Sequence, residues 1–169
     1  MSKTILKKEL KQLDKEQLEQ LILDLYSARK EAKAYLDFFA EPDIDKLTEK
    51  YMLVIEKEMT RGKYSKSTAR ISRVRTHIRD YASYGIPVES VLEMMVNTLK
   101  LGLKVEQQKY TSKAFVSGIN RLASDILSYG DKHLMFDTAF RLLSEALSGQ
   151  YGYKGFVNML RNNLDWSLI

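Results

Sequence analysis

The sequence predicts an all-α protein, and three observations predict it. Only two prolines, Pro42 and Pro87, interrupt the 169 residues. Apolar residues recur with a period of about 3.6 between them, and no run alternates apolar and polar residues as a half-buried strand does. Hydrophobic residues make up 44% of the chain, which is enough for a core in a domain of this size. We therefore expect one helical-repeat domain over residues 1–169.

The first helical hairpin is expected over about residues 14–61, after a short helix at about residues 4–13. Asp14 stands where an N-cap belongs, ahead of a long apolar-periodic segment, and Pro42 stops that segment. A second helix follows and ends at Gly62. This hairpin thus pairs one long helix with a shorter one.

Two more hairpins are expected, over about residues 65–102 and 111–148, with a terminal helix over about 155–164. Gly85 is placed to end the first helix of the second hairpin, and Gly130 to end the first helix of the third. A glycine just past a helix adopts the left-handed conformation at little cost. Both glycines are therefore interpreted as helix C-caps.

Two stretches of the chain copy one another about 45 residues apart. Lys-Tyr-Ser at 63–65 returns as Lys-Tyr-Thr at 109–111, and Ser-Tyr-Gly at 83–85 returns at 128–130. Repeats of about 40 to 47 residues that hold two helices are typical of HEAT and armadillo proteins. The repeat therefore predicts three stacked hairpins in a short HEAT-like α-solenoid. A closed helical bundle is the alternative.

Small and aromatic residues recur within this repeat. Ala69 and Ala114 are expected to let neighbouring helices approach closely. Tyr84 and Tyr129 are expected to cover the turns with their rings, and the alternative is a tyrosine contact surface along one edge of the stack.

The opening segment carries a further pattern. It begins with the strings LKKEL at 6–10 and LDKEQL at 13–18, and it continues with ten single residues between positions 22 and 39. These residues are Ile22, Leu23, Leu25, Tyr26, Glu31, Ala32, Tyr35, Leu36, Asp37 and Phe39. With this pattern the chain resembles a family of small bacterial all-helical proteins that has no assigned function, over about its first quarter. The resemblance implies a bacterial, cytoplasmic protein, and it supplies no catalytic residue.

Positive charge is concentrated between residues 57 and 80. This segment holds eight basic and two acidic residues, whereas the whole chain carries a net charge of +5. On one helix, Lys66, Arg70, Arg73 and His77 would share a ridge. Such a ridge attracts phosphates in a salt-dependent manner, and Tyr64 would stack on an unpaired base. The candidate residues for binding nucleic acid or an acidic partner are Arg61, Lys63, Lys66, Arg70, Arg73, Arg75, His77 and Arg79.

The alternative for this segment is a solvated or internally paired face. Its arginines would then pair with acids on neighbouring helices, such as Glu31, Glu49 or Glu93. Against this, the second repeat has Phe115 and Gly118 where the first has Arg70 and Arg73. The basic residues are therefore not a structural requirement of the repeat.

No motif nominates an active site, a metal or a cofactor. His77 and His133 are 56 residues apart, and the chain has no cysteine, so neither a zinc site nor a thiolate nucleophile is expected. Gly152, Lys154 and Gly155 lack the spacing of a P-loop. We therefore expect a non-enzymatic binding or scaffolding module without cofactors. Its partner would be a protein or a second copy of the chain, with nucleic acid at 57–80 as the alternative.

The cellular location is inferred from the same composition. The absence of cysteine fits a reducing compartment, and no apolar run reaches the length of a transmembrane helix. We expect a cytoplasmic protein that does not enter a membrane.

Overall fold

A computed structural model describes residues 2–63, 66–149, 157–158 and 162. Within these residues the regular structure consists of eight α-helices and no strand, which confirms the all-α class. The helices are α1 Lys3–Leu10, α2 Lys15–Ala28, α3 Lys30–Ala40, α4 Ile44–Met59, α5 Ile71–Ala82, α6 Val88–Gln108, α7 Lys113–Lys132 and α8 Phe136–Ser148.

The helices fall into two compact units, Met1–Asp43 and Ile44–Ile169. The expected hairpin of residues 14–61 divides between them. Helix α2 packs against α3 in the first unit, and α4 packs against α5 and α6 in the second. The expectation of a single domain over residues 1–169 stays a prediction.

The N-terminal unit begins its second helix where the sequence predicted. Asp14 Oδ1 accepts a hydrogen bond from the Gln17 backbone N–H at 2.8 Å, and the Gln17 side chain accepts one from the Asp14 N–H at 3.1 Å. This reciprocal pair satisfies two backbone donors that a helix N-terminus otherwise leaves unpaired.

The long helix expected before Pro42 is wrong, because Arg29 interrupts it with an extended backbone (φ −134°, ψ 119°). The chain folds back there, and contacts between α2 and α3 replace the lost helical turn. The Tyr26 hydroxyl donates to Asp37 Oδ1 at 2.9 Å, and Lys33 Nζ lies 5.2 Å from the centroid of the Tyr26 ring. No glycine or proline marks the break, so local sequence did not reveal it.

In the second unit, each helix makes its extensive contacts with the next two helices along the chain. Helix α4 contacts α5 and α6, α5 contacts α6 and α7, α6 contacts α7 and α8, and α7 contacts α8. The largest fully buried side chains of this unit come from all five helices: Ile55, Met59, Tyr81, Leu92, Met94, Leu99, Leu103, Ile119, Leu122, Ile126 and Leu143.

Helix ends differ from those expected at two of the glycines that were predicted to end a helix or a hairpin, Gly102 and Gly130. Gly85 has φ +75° just after α5, as predicted. Gly102 and Gly130 instead lie inside α6 and α7, where a Cβ atom would overlap the side chains of Ile119 and Ala139. They serve close helix contacts, so α6 and α7 continue past them. The left-handed residue that follows α7 is Leu134, with φ 59° and 95% exposure.

Close approach between repeats also uses a different residue from those predicted. Ala69 is half-buried and Ala114 is exposed. Gly118 is the residue at which α7 meets the start of α5, since a Cβ there would lie 2.6 Å from Ile71 Cβ. The expected terminal helix at 155–164 lies outside the described residues, apart from 157–158 and 162.

Candidate nucleic-acid interface

The segment between α4 and α5 carries several of the predicted cations, and its described part is not helical. The Thr68 N–H donates to the Arg61 carbonyl at 2.9 Å, and the Ser67 N–H donates to the Tyr110 carbonyl at 3.0 Å. Lys66 and Tyr110 form an isolated parallel bridge. The backbone at 66–68 thus pairs with the start of the next repeat.

This pairing corrects the predicted basic ridge. Helix α5 begins at Ile71, so Lys66 and Arg70 precede it and do not continue the helical ridge of Arg73 and His77. The Ser67 hydroxyl accepts from the Ala69 N–H at 3.2 Å, an arrangement that competes with helix formation at this point.

Gly62 allows the loop to close on itself. Its φ of +120° lies in the region that favours glycine, and a Cβ atom would lie 2.9 Å from the Thr68 nitrogen and overlap the Lys66 carbonyl. Any side chain at this position would push the segment at 66–68 away. The glycine therefore keeps the cations of residues 61–66 close together.

A concavity of about 490 Å³ is lined by Arg61, Gly62, Lys63, Lys66 and Thr68, and we call it the cationic groove. Its three cations are exposed, and none of these lining residues is acidic. Tyr110, bridged to Lys66, is 74% exposed. The groove therefore combines positive charge with a solvent-facing aromatic ring on the neighbouring backbone segment. Tyr64, the residue expected to stack on a base, lies outside the described residues.

A shared carboxylate orders the arginines near this groove. Arg70 Nε donates to Glu58 Oε1 at 2.9 Å, and Arg61 Nη1 lies 3.6 Å from the same oxygen. The Glu58 side chain is only 14% exposed. Burial alone would raise the pKa of this carboxyl, but the hydrogen bond from Arg70 and the charges of Arg70, Arg61 and Arg73 bring the pKa below its ordinary value. One carboxylate thus holds two guanidinium groups, and an excess of positive charge remains.

Replacing Glu58 by glutamine is expected to lower the free energy of unfolding by about 1 kcal/mol at neutral pH, because a charge-assisted hydrogen bond is weakened. The lowered pKa means that the wild-type contribution is present above the ordinary carboxyl value of 4.5 and is lost as the pH falls through the folded-state pKa. Urea unfolding from pH 7 to pH 3 measures this difference.

The matched control for that experiment is Glu56→Gln, an exposed glutamate on the same helix. A gap between the Glu58→Gln variant and wild type that stays constant down to pH 3 would contradict the assignment. The predicted result is a gap that narrows on acidification and is absent in the control.

A second ion pair joins the two repeats. Arg75 Nε donates to Asp125 Oδ2 at 2.6 Å, across from α5 to α7. The acids that pair with Arg70 and Arg75 are therefore Glu58 and Asp125, and the acids named in advance are not their partners in the structure.

The structure places the eight candidate residues in three settings. Arg61 and Arg70 surround Glu58, and Arg75 pairs with Asp125. Arg79 Nη2 donates to Thr76 Oγ1 at 3.0 Å, and His77 is half-buried. The five candidates without an ion-pair partner in the described part of the chain are Lys63, Lys66, Arg73, His77 and Arg79.

Residues 1–141 match DUF6155, a family of unknown function. The chain belongs to this family. The family relationship expected over the first quarter of the chain therefore extends over most of it. No curated protein and no solved structure matches the chain.

The sequence alone did not identify three residues that contact the candidate residues of this DUF6155 protein: Tyr110, Glu58 and Asp125. Tyr110 is the counterpart of Tyr64 in the 45-residue repeat, so the repeat itself carried the signal. Asp125 is likewise the counterpart of Asp80. Glu58 stands within the basic segment as one of its two acids, and its role becomes visible only when Arg70 folds back onto it.

The described residues offer neither a metal site nor a membrane-spanning helix. No group of three histidine, aspartate or glutamate side chains there is arranged to hold a metal ion. In the same residues, none of the helices combines the length and apolar character needed to cross a membrane.

Proposed function

We propose that this protein is a non-enzymatic binding module of the bacterial cytoplasm, and that its cationic groove binds single-stranded nucleic acid. One observation carries the proposal. Three exposed cations, Arg61, Lys63 and Lys66, line a groove without an acidic lining residue, and the exposed ring of Tyr110 is attached to its edge by the bridge to Lys66.

The chemistry of the groove matches an unpaired polynucleotide better than a duplex. Lysine and arginine attract the phosphate backbone without sequence preference. An exposed tyrosine stacks on a base, and such stacking contributes about 1–3 kcal/mol per base. Bases in a duplex are already stacked, so an exposed ring gains little from double-stranded DNA. Single strands therefore use both features of the groove.

We further propose that α4 to α8 form a short HEAT-like stack. Its support is the contact pattern, in which each helix packs mainly against its next two neighbours, as expected of a quasi-one-dimensional array. A closed bundle would also pack α8 extensively against α4, and these two described helices make no extensive contact.

The same architecture offers a competing explanation for part of the basic surface. In the second repeat, Phe115 is buried and Gly118 lies against Ile71 of the preceding repeat. Arg70 and Arg73 hold the equivalent positions of the first repeat. They therefore lie on the face to which a further repeat would attach. Terminal repeats carry a polar outer face for solubility. A role as the polar outer face of a terminal repeat explains these two arginines. It explains neither the lack of acidic residues in the lining of the groove nor the exposure of Tyr110.

A protein partner, or a second copy of the chain, is the second candidate, and the N-terminal unit supports it. Helices α1 to α3 contain no fully buried residue. Many of their large apolar side chains are exposed: Ile5, Leu6, Leu21, Ile22, Leu23, Leu25, Tyr35 and Phe39. Exposed apolar surface of this kind marks interaction sites.

Photocrosslinking tests the first proposal at residue level. A single-stranded oligonucleotide that contains 4-thiouridine is bound at low salt, irradiated, and the crosslinked peptides are identified by mass spectrometry. We expect crosslinks at Tyr110 and within residues 61–68, and fewer of them in the Tyr110→Leu variant. Crosslinks confined to the N-terminal unit or to α8 would refute the groove as the binding site.

A further inference from the structure

A second concavity, separate from the cationic groove, lies where α5, α6 and α7 meet. It has a volume of about 270 Å³. The residues that line it are Arg75, Ile78, Arg79, Ala82, Val91, Met95, Leu122, Asp125, Ser128, Tyr129 and Lys132. Apolar and polar residues are about equally represented among them, so the cavity is amphipathic.

The apolar part of the lining comes from the core of the second unit. Val91 and Met95 of α6 and Leu122 of α7 are buried, as is Ile78 of α5. A cavity lined by such side chains gives water few hydrogen-bond partners, and apolar groups enter such space favourably. One side of the cavity therefore suits a hydrocarbon chain.

The polar part of the lining carries an excess of positive charge. The charged lining residues are three cations, Arg75, Arg79 and Lys132, and one carboxylate, Asp125. Arg75 is held by that carboxylate at 2.6 Å, whereas Arg79 and Lys132 are exposed and have no ion-pair partner in the described part of the chain. Two cations are thus left for an anionic group at the mouth of the cavity.

Two hydroxyl groups stand beside these cations. Ser128 is exposed and Tyr129 is half-buried, and both line the cavity. Burial raises the pKa of the Tyr129 hydroxyl above its ordinary value, so the hydroxyl stays protonated and able to donate at neutral pH. An anionic oxygen at the mouth of the cavity would accept hydrogen bonds from these hydroxyl groups and would be attracted by the two cations.

The repeat shows that this space is not a structural necessity. Tyr84 is the counterpart of Tyr129, and the ring of Tyr51 from the preceding helix packs against Tyr84 with a centroid distance of 6.1 Å. At the next junction α6 contributes Val91 and Met95, and a cavity stands beside Tyr129. An aromatic ring thus packs on the tyrosine of one junction, and a cavity lies beside the tyrosine of the other.

We propose that this cavity binds a small amphipathic carboxylate. The hydrocarbon chain lies among Val91, Met95 and Leu122, and the carboxylate lies between Arg79 and Lys132. The volume corresponds to about nine water-sized groups, at roughly 30 Å³ each. A straight-chain carboxylate of about six to eight carbons therefore fits. This site is independent of the nucleic-acid proposal, since none of the groove residues lines it.

Isothermal titration of the full chain with the linear carboxylates from butanoate to decanoate tests the proposal. We expect one site per chain and an affinity that rises about fourfold with each added methylene, the factor that burial of one CH₂ supplies. The increase is expected to stop near octanoate, when the cavity is full. Binding without saturation, or no binding by any member of the series, would overturn the proposal.

Variants and a neutral ligand then test the charge assignment. Arg79→Gln and Lys132→Gln are exposed substitutions that leave the core intact, and each is expected to weaken octanoate binding at least about fivefold. The matched control Arg121→Gln removes an exposed arginine of α7 that does not line the cavity, and it is expected to change nothing. Octanol that binds as tightly as octanoate would overturn the assignment of an anionic ligand.

Discussion

Replacing Gly130 by alanine is expected to lower the free energy of unfolding by about 2 kcal/mol, although alanine is the better helix former. Gly130 lies within α7, where an added Cβ would overlap the Ala139 methyl group and lie 3.0 Å from the Met135 carbonyl oxygen. Both neighbours are rigid. The overpacking cost therefore falls at the upper end of its usual range, about 3 kcal/mol, and exceeds the gain in helix propensity of about 1 kcal/mol.

Gly85 is the matched control, because the two glycines occupy the same position of the repeat. Gly85 has φ +75° and no atom within 4 Å of an added Cβ, so Gly85→Ala is expected to cost only the left-handed conformation, about 1 kcal/mol. Ala139→Gly is expected to relieve part of the Gly130→Ala cost. Urea unfolding followed by circular dichroism measures wild type, Gly130→Ala, Gly85→Ala and the double variant that combines Gly130→Ala with Ala139→Gly. A Gly130→Ala protein as stable as wild type would contradict the close α7–α8 contact.

Reversing two lysines of the cationic groove, Lys63→Glu with Lys66→Glu, is expected to weaken single-strand binding on the order of 100-fold at low salt, because two phosphate contacts become repulsions. These lysines are exposed and have no ion-pair partner among the described residues. Reversing Arg70 or Arg75 would instead place a carboxylate beside Glu58 or Asp125 and would confound binding with stability.

The control for the lysine reversal is Lys50→Glu with Arg121→Glu. Both residues are exposed, neither lines the groove, and the change in net charge is the same. A similar loss of affinity in this control would mean that overall charge governs binding. A protein partner held by the apolar surface of α1 to α3 is expected to remain bound to both double variants.

Sequence reasoning succeeded where one local feature allows one structure. Helical periodicity with two prolines leaves no room for strands, and the aspartate at position 14 with glutamine three residues later forms the cap that it predicts. Gly85 follows its helix with a positive φ. In each case the residues that decide the structure are neighbours along the chain.

The fold was not predictable from the sequence where a residue has two structural uses. A glycine either takes a left-handed turn or lets another element approach, and only the packed neighbour decides between them. Ile119 and Ala139 make Gly102 and Gly130 helix contacts. The break at Arg29 is also a tertiary effect, compensated by side chains across α2 and α3.

The candidate site was predictable in composition and not in arrangement. The basic segment contains the groove cations, but Arg70 finds its carboxylate 12 residues away and Arg75 finds its own 50 residues away. Only the positions of these carboxylates in the fold show which arginines form ion pairs and which do not. The groove itself depends on the Lys66–Tyr110 bridge, a contact between repeats that periodicity within one helix does not report.

Titration of a labelled single-stranded oligonucleotide with the wild-type protein, at salt concentrations from low to physiological, tests the central claim most directly. We predict micromolar binding at low salt and a slope of log K against log salt near −2, since about 0.7 counterions are released for each of the three groove cations that contacts a phosphate. Duplex of the same sequence is expected to bind more weakly, because it offers no unstacked base to Tyr110. Absence of binding at low salt, or binding that salt leaves unchanged, would contradict a nucleic-acid function for the cationic groove.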